Sequence, residues 1–467
     1  MTAHAPGPAG STAPPVSPVG IAQRLIRFNT VNPPGDEAEC VAWIQRLLDG
    51  AGIETKIVSA VPGRPNLIAR LPGRGLEPPL LLHAHVDVVS VEGQQWTRPP
   101  FDGEIVDGEL WGRGAVDMKG LLAMMLSAML RMRAAGEVPA GDVLLVVVPD
   151  EEAGSTVGAR FLVERHPELF EGVRYAIGED GGAELRLGRY ARVHPIVVAE
   201  KRTCWVRARL RGPAGHASRV AAEDGAVRKL GRLLAGISDG GLGVELTPVV
   251  DRMLAELAAA LPSPVREGVT AFRADPTDPG ALAGLDDTFV GYLRSVVQHT
   301  VSATVLHGGT GTNVHPSEIT VELDGRVLPG DFSTADFLAR LRERIGEDVD
   351  LELFVEGELT PPPRLDGFYD RLAAVLRAMD PNGVPLPVVT TASTDARVFS
   401  QLGIQCFGWL PLRHGPDTVY RDRLHCPDER IAVSALEFGA DCFHALLSAP
   451  PVQDGPAPLT HGSGSEH

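Results

Sequence analysis

Cysteines, aromatics, basic residues and long apolar runs are all in short supply in this chain. The five cysteines, Cys40, Cys204, Cys406, Cys426 and Cys442, form an odd set without C-x-x-C spacing. That excludes a disulfide framework and a thiolate zinc site, and it points to a reducing, cytoplasmic compartment. Aromatics are 5% of residues, while Gly (52) and Pro (39) are plentiful, the mix of an alanine- and valine-rich α/β enzyme with many tight loops. The longest apolar runs, such as Val143 to Val148, are too short to span a bilayer, so no membrane partner is expected. Lysine and arginine number 43 against 60 acids, a formal charge of −17. Such a surface repels phosphate backbones and anionic lipids, so no nucleic-acid partner is expected. Part of that acidity would belong to a metal site if carboxylates gather round a cation. The opening MTAHAPGPAGSTAPPVSPVG has neither a basic n-region nor an apolar h-region, and reads as a flexible tail rather than a signal peptide.

What is present is ordinary globular material: 467 residues, 44% hydrophobic and 22% charged. The length suits two or three domains that need no disulfide or metal to fold. IAQRLIRF has helical spacing from Ile21, and an amphipathic helix is expected over Ala38 to Leu48, closed by the Gly50/Gly52 pair. Asn66 to Leu71, Leu80 to Val89 and DVLLVVV read as strands, and Gly120 to Ala135 as an apolar helix ended by Gly136. Strands alternating with helices imply an α/β domain with a mostly parallel sheet flanked by helices. The texture changes near residue 198. KRTCWVRARLRG, EITVELDGRV and DLELFVEG alternate like half-exposed strands, with helices expected at Asp224 to Ile237, Val250 to Leu261 and Ser333 to Ile345. After Pro361 to Pro363 the first pattern resumes, with helices at Phe368 to Met379 and Ala432 to Leu447. No internal repeat is found. The expected organisation is a tail (residues 1–18), a first α/β part (19–197), an inserted α+β domain (198–360), a second α/β part (361–449) and a second tail (450–467).

In LLLHAHVDVVS, His85 and Asp87 stand at i and i+2 of a strand and project to one face. Imidazole is a zinc ligand whose other nitrogen usually meets a carboxylate, although an HxD at a strand end is also ordinary polar chain. WGRGAVDMKG places Asp117 ahead of the apolar helix, where a carboxylate caps a helix or bridges two metals. DVLLVVVPDEEAGS ends a buried strand in Glu151 and Glu152, where open α/β sheets carry their sites. Neighbouring side chains there point apart, so one acid can bind metal while the other faces water; a solvated acidic loop would look the same. Asp150 makes three acids whose repulsion calls for a compensating cation. YAIGEDGG adds Glu179 and Asp180, and RLHCPDERI adds His425. Nitrogen and oxygen donors without thiolates suit zinc, with manganese or cobalt as alternatives.

With RFNTVNPPGDE, LLLHAHVDVV, WGRGAVDMKG, PDEEAGS, GEDGG, GPAGHAS, GTNVHPSEI and HCPDER in order, the chain resembles the co-catalytic di-zinc hydrolases that include aminoacylase, acetylornithine deacetylase, succinyl-diaminopimelate desuccinylase and carboxypeptidase G. The resemblance runs over roughly residues 18 to 448. It implies a zinc-peptidase-like catalytic domain carrying an inserted lid, with two zinc ions. His85 would bind one zinc, oriented by Asp87. Asp117 would bridge, Glu152 and His425 would bind the other zinc, and Glu151 would be the general base. Glu179 would complete the first zinc site, with Asp180 as the alternative. In the lid, His216 of GPAGHAS would stabilise the oxyanion, and Asn313 and Arg326 would hold a substrate carboxylate; a strand arginine paired with Asp324 or Glu322 would look the same as the latter. His83 and Cys426 flank ligands without joining them.

The implied activity is hydrolysis of an amide or peptide bond of an N-acyl amino acid or short peptide with a free carboxylate, by a water activated between the zinc ions. The implied partners are that substrate and a second copy of the chain, joined through the lid. An aminopeptidase-like relative would recognise a free amine and lack the GPAGHAS block. A phosphatase or nuclease would carry a basic surface, and an inactive binding protein on this fold would lack one of the ligand types.

Overall fold

Apolar periodicity sets most of the observed elements, and turn residues set their ends. The computed structural model describes residues 17–181, 185–187, 191–219, 222–278, 280–283, 285, 287–413 and 423–451; of the expected tails, residues 1–16 and 452–467 lie outside this range. The architecture is mixed α/β, with a large, mostly parallel sheet flanked by helices and a separate antiparallel sheet. The chain divides into two compact units, Met1–Phe161 with Leu412–Ala449, and Leu162–Pro411 with Pro450–His467.

In the first unit, strands run in the order Glu54–Val61, Arg64–Leu71, Val143–Val148 and Leu80–His85. The first two junctions are antiparallel and the last is parallel. Val143–Val148 is buried along its whole length, as a run of β-branched residues covered on both faces should be. Glu54–Val61 is an exposed edge strand that the apolar pattern does not announce. Helix Ala38–Gly50 buries Cys40, Val41, Ile44, Leu47 and Leu48, an i, i+3, i+4 stripe. Helix Lys119–Ala135 is buried nearly all round and stops at Gly136, whose φ is 69°. It packs against helices Pro18–Ile26 and Val433–Leu447. At its start, a Cβ on Gly120 would lie 2.2 Å from the Ala115 carbonyl oxygen, so only glycine fits. A small sheet of Ile105–Val106, Glu109–Trp111 and Arg430–Ala432 ties the C-terminal segment to the loop that carries Asp117.

In the second unit, Tyr175–Gly178 pairs in parallel with Gln405–Gly408, and Ala191–Glu200 in parallel with Gly383–Thr390. A separate five-stranded antiparallel sheet has the order Gly241–Val244, Gln298–Gly308, Glu318–Val327, Arg202–Arg211 and Asp350–Glu356. Its buried face presents Val206, Ala208, Leu210, Val321 and Leu323 to Leu233, Phe337 and Leu341 of helices Ala226–Gly236 and Thr334–Ile345. Gly325 has no room for a side chain, since a Cβ would meet the Phe337 ring at 2.4 Å. Ser333 and Asp336 form a capping box at the start of the second helix. The other face carries Arg207, Arg209 and Arg211 opposite Glu322, Glu352 and Glu318. Helices Val265–Ala274 and Asp287–Val296 and strand Gln298–Gly308 occupy a stretch, between Leu261 and EITVELDGRV, in which sequence periodicity marks no element.

Candidate metal centre

His85 is the last residue of strand Leu80–His85 and is buried. Its Nδ1 lies 2.9 Å from the Asp87 backbone oxygen and 3.4 Å from the Asp87 carboxylate. The wholly buried Asp87 does more than the HxD spacing suggests. It accepts hydrogen bonds from the backbone N–H groups of Glu151 (3.2 Å) and Glu152 (3.1 Å) and from Asn32 Nδ2 (2.9 Å). One carboxylate therefore fixes both the histidine and the acidic turn. Burial would raise the Asp87 carboxyl, but bonds from His85, Asn32 and the Glu152 N–H outweigh it and hold it below the usual carboxylate value.

Asp117 turns one carboxylate oxygen to each of two histidines: His85 Nε2 stands 3.2 Å from Oδ1 and His425 Nε2 3.2 Å from Oδ2. Glu152 Oε2 lies 3.5 Å from the same His425 nitrogen, and ligand atoms of Asp117, Glu152 and His425 lie within 4.8 Å of one another. The helix Lys119–Ala135 has Met118 at its N-cap, without a side-chain cap bond, while both Asp117 carboxylate oxygens face imidazoles. Hydrogen bonds to Asp117 and Glu152 outweigh burial and push the His425 imidazole up to about 10. Burial opposes ionisation of Asp117, yet His425 and His85 hold it well below the usual range. Glu152 Oε1 is buried without a hydrogen-bond partner among the described residues. A cluster that so favours positive charge, beside a buried carboxylate oxygen without a partner among the described residues, fits a divalent cation on oxygen and nitrogen donors.

The cation that Asp150 calls for is Arg64. Its guanidinium grips Glu37 through two bonds (3.0 and 2.9 Å), reaches Asp150 Oδ1 at 3.3 Å and donates to the Pro149 carbonyl. Asn32 links this group to the ligand strand, donating to Asp150 (3.1 Å) and to Asp87. Asn32 is itself placed by the extended run Thr30–Asn32 beside Val88. Sequence reading missed Asn32, Glu37 and Arg64, and it also missed the buried pair Arg113–Glu429 at 2.6 Å. Asn32 and Glu37 lie in the RFNTVNPPGDE motif and Glu429 in HCPDER, so the motifs marked the segments without naming the residues.

His83 is buried in mid-strand, and burial drives its imidazole down to about 3, which keeps it neutral. Cys426 is exposed. In the second unit, Glu179 follows strand Tyr175–Gly178. Asp180, with φ of 65°, spends its carboxylate on the Gly181 N–H and the Thr390 hydroxyl. His216 and Asn313 share one exposed ribbon, in which Gly215–His216 pairs with Val314–His315. His216 Nδ1 is 2.8 Å from Ser218 Oγ, and the Asn313 carbonyl accepts the Ala217 N–H. Arg326 is half-buried, with its guanidinium on Asp324 (2.8 and 3.3 Å) and Thr203 (3.1 Å).

Histidines and carboxylates meeting at strand-end loops of an α/β fold define the class of metallohydrolases. Comparison with known proteins gives the family. Aminoacylase-1 of Sus scrofa is 28% identical over 442 residues, spanning 92% of this chain and 94% of the relative. The fold is similar to that of an M20 family metallo-carboxypeptidase from Sulfolobus solfataricus (TM-score 0.66, 18% identity, 92% of this chain and 98% of that one). It is also similar to that of a dinuclear metal binding peptidase of the M20 family from Bacillus subtilis (TM-score 0.56, 16% identity, 92% and 96%). The chain belongs to peptidase family M20/M25/M40, matched over residues 81–449.

Proposed function

We propose that this M20 family hydrolase cleaves the amide or peptide bond of an N-acyl amino acid or short peptide with a free carboxylate. The observation that carries the reading is the Asp117–Glu152–His425 cluster, in which two carboxylates face one imidazole and an oxygen of Glu152 has no hydrogen-bond partner among the described residues. Likeness to aminoacylase-1 across nearly the whole chain supports the substrate class. His85, Asp117 and Glu179 would hold one divalent cation, and Asp117, Glu152 and His425 the other. Zinc suits these donors best, with manganese or cobalt as alternatives. When bound, the cations supply Lewis acidity and lower the pKa of a water toward ~7. Glu179 is preferred to Asp180 because the Asp180 carboxylate is engaged by Thr390 and Gly181.

Glu151 acts as general base, accepting the proton of the attacking water and passing it to the leaving nitrogen. Anchoring of its N–H on Asp87 fixes the turn from which its carboxylate projects. His216 donates to the carbonyl oxygen as negative charge develops there. Asn313 and Arg326 receive the substrate's carboxylate; Arg326 already holds that of Asp324 in a two-bond fork, the geometry such recognition uses. Residues 198–360 serve as lid and as the contact of a homodimer, between catalytic parts 19–197 and 361–449. A cytoplasmic setting follows from the reducing cysteine usage; among the described residues, no helix is long and apolar enough to cross a membrane.

The test is Glu151→Gln. Metal content should stay near two per chain while turnover of N-acetyl amino acids falls ~10²–10⁴-fold. Loss of metal with turnover would reassign Glu151. Absence of hydrolysis across N-acetyl amino acids, N-succinyl diamines and dipeptides, with zinc, manganese or cobalt added to the wild type, would overturn the substrate class.

A further inference from the structure

The two loops that present Asp117 and His425 are held together by one buried acid that the proposed chemistry does not use. Glu429 is fully buried. Its Oε1 accepts the N–H groups of Val116 (2.8 Å) and Asp117 (3.2 Å), and its Oε2 accepts the Gly114 N–H (3.1 Å) and Arg113 Nη1 (2.6 Å). The Glu429 carbonyl accepts the Gly112 N–H as well. Arg113 continues to Gln94 Oε1 (2.8 Å), and Gln94 Nε2 donates to the His425 carbonyl (2.8 Å). The ring Glu429–Arg113–Gln94–His425 thus closes on the same five-residue segment from which it starts. Only a carboxylate fills this position: all four groups around it donate, and an amide would turn its own N–H₂ toward some of them.

We infer that Glu429 is a positioning residue that sets Asp117 and His425 as a pair, and that the cation pocket of Asp117, Glu152 and His425, which takes both of them, depends on it more than the His85 side, which takes Asp117 alone. The difference follows from how the ligands are mounted. His85 ends a buried strand paired to Val143–Val148, whereas His425 stands on a loop at φ of 58°, held through Gln94 and the Glu429 ring. The inference rests on reading that cluster as a metal centre.

Zinc titration of the metal-free full chain tests it by resolving two sites. In Glu429→Gln, one zinc site should weaken ~10–100-fold, the range for outer partners of metal ligands, while the other, which takes only Asp117 of the pair, weakens by a smaller factor. The thermal midpoint of the metal-free chain reports separately on folding. Gln94→Leu, which leaves the buried Arg113–Glu429 pair in place and loosens the His425 side alone, should weaken that one site by a smaller factor, and it decides the matter if Glu429→Gln does not fold. Two unaltered sites in either folded variant, or equal weakening of both, would overturn the inference. A wild-type chain that takes up no zinc would instead overturn the metal-centre reading.

Discussion

Acids are arranged in opposite ways on the outer face of the five-stranded sheet and in the ligand loops. On the sheet, each carboxylate meets a guanidinium: Arg207 lies 2.8 Å from Glu322, Arg211 2.9 Å from Glu318 and Arg326 2.8 Å from Asp324. In the loops, Asp117 faces two imidazoles and Glu152 one, and Glu152 Oε1 is buried without a hydrogen-bond partner among the described residues. A ladder that neutralises itself in solvent has no charge left with which to recruit a cation. A partly buried cluster whose positive partners are titratable imidazoles, His425 among them exposed, holds that capacity, because a metal can replace the proton. Arg64 makes a third case, in which Glu37 and Asp150 are buried and compensated by the protein's own cation.

The contrast breaks most sharply at Glu152. Glu152→Ala should lower metal content from two per chain toward one, with a loss in affinity at that site beyond ~100-fold, more than outer partners cost; unchanged content by elemental analysis would remove Glu152 from the ligand set. Next comes Arg64→Met, which leaves Glu37 and Asp150 buried without their cation. Removing one partner of such a group costs ~3–5 kcal/mol, read as a lower urea midpoint, and a cost below ~1 kcal/mol would mean that water does the compensating. A smaller and pH-dependent effect is expected at Glu200. Burial pushes its carboxyl up to about 7 against the Thr394 hydrogen bonds, above its unfolded value near ~4.3. Between those values the folded chain binds more protons than the unfolded one, so this group makes stability fall as pH rises. The Tm of Glu200→Gln relative to wild type should therefore increase from pH 5 to pH 8, and a flat difference would show that Glu200 stays ionised. The smallest effect belongs to the ladder: Glu322→Gln should leave Tm and metal content unchanged within error, and loss of metal there would erase the comparison.

The parts legible in sequence share one property, that the signal is local. HAHVD brings a histidine and an acid together because strand period puts His85 and Asp87 on one side, and the two meet in the structure; DVLLVVVPDEE shows its acids because a strand buried throughout must end somewhere polar. The same locality carries the antiparallel sheet, where EITVELDGRV alternates in register with its buried face. What escaped notice was long-range pairing. Asp150 announces a need for positive charge, but Arg64 answers from 86 positions away, and three acids side by side are read more readily as a metal site. Glu429 looks like one charge among the four polar residues of HCPDER, and its donors lie 312 to 316 positions back. Edge strand Glu54–Val61 escaped for a different reason: exposed on both faces, it has no periodic burial to write into its sequence.

The distance between Asp117 and His425 along the chain also sets an order of events at birth. They are 308 positions apart, so at ~5–20 residues per second the ribosome needs roughly 15–60 s to deliver the histidine after the aspartate. Through that interval helix Lys119–Ala135 also lacks Val433–Leu447, the neighbour on which it packs. A nascent or prematurely ended chain therefore exposes an apolar helix beside an unfinished acidic pocket, a species prone to aggregate. On the proposed reading of the Asp117–Glu152–His425 pocket, loading with metal would for the same reason follow synthesis rather than guide it.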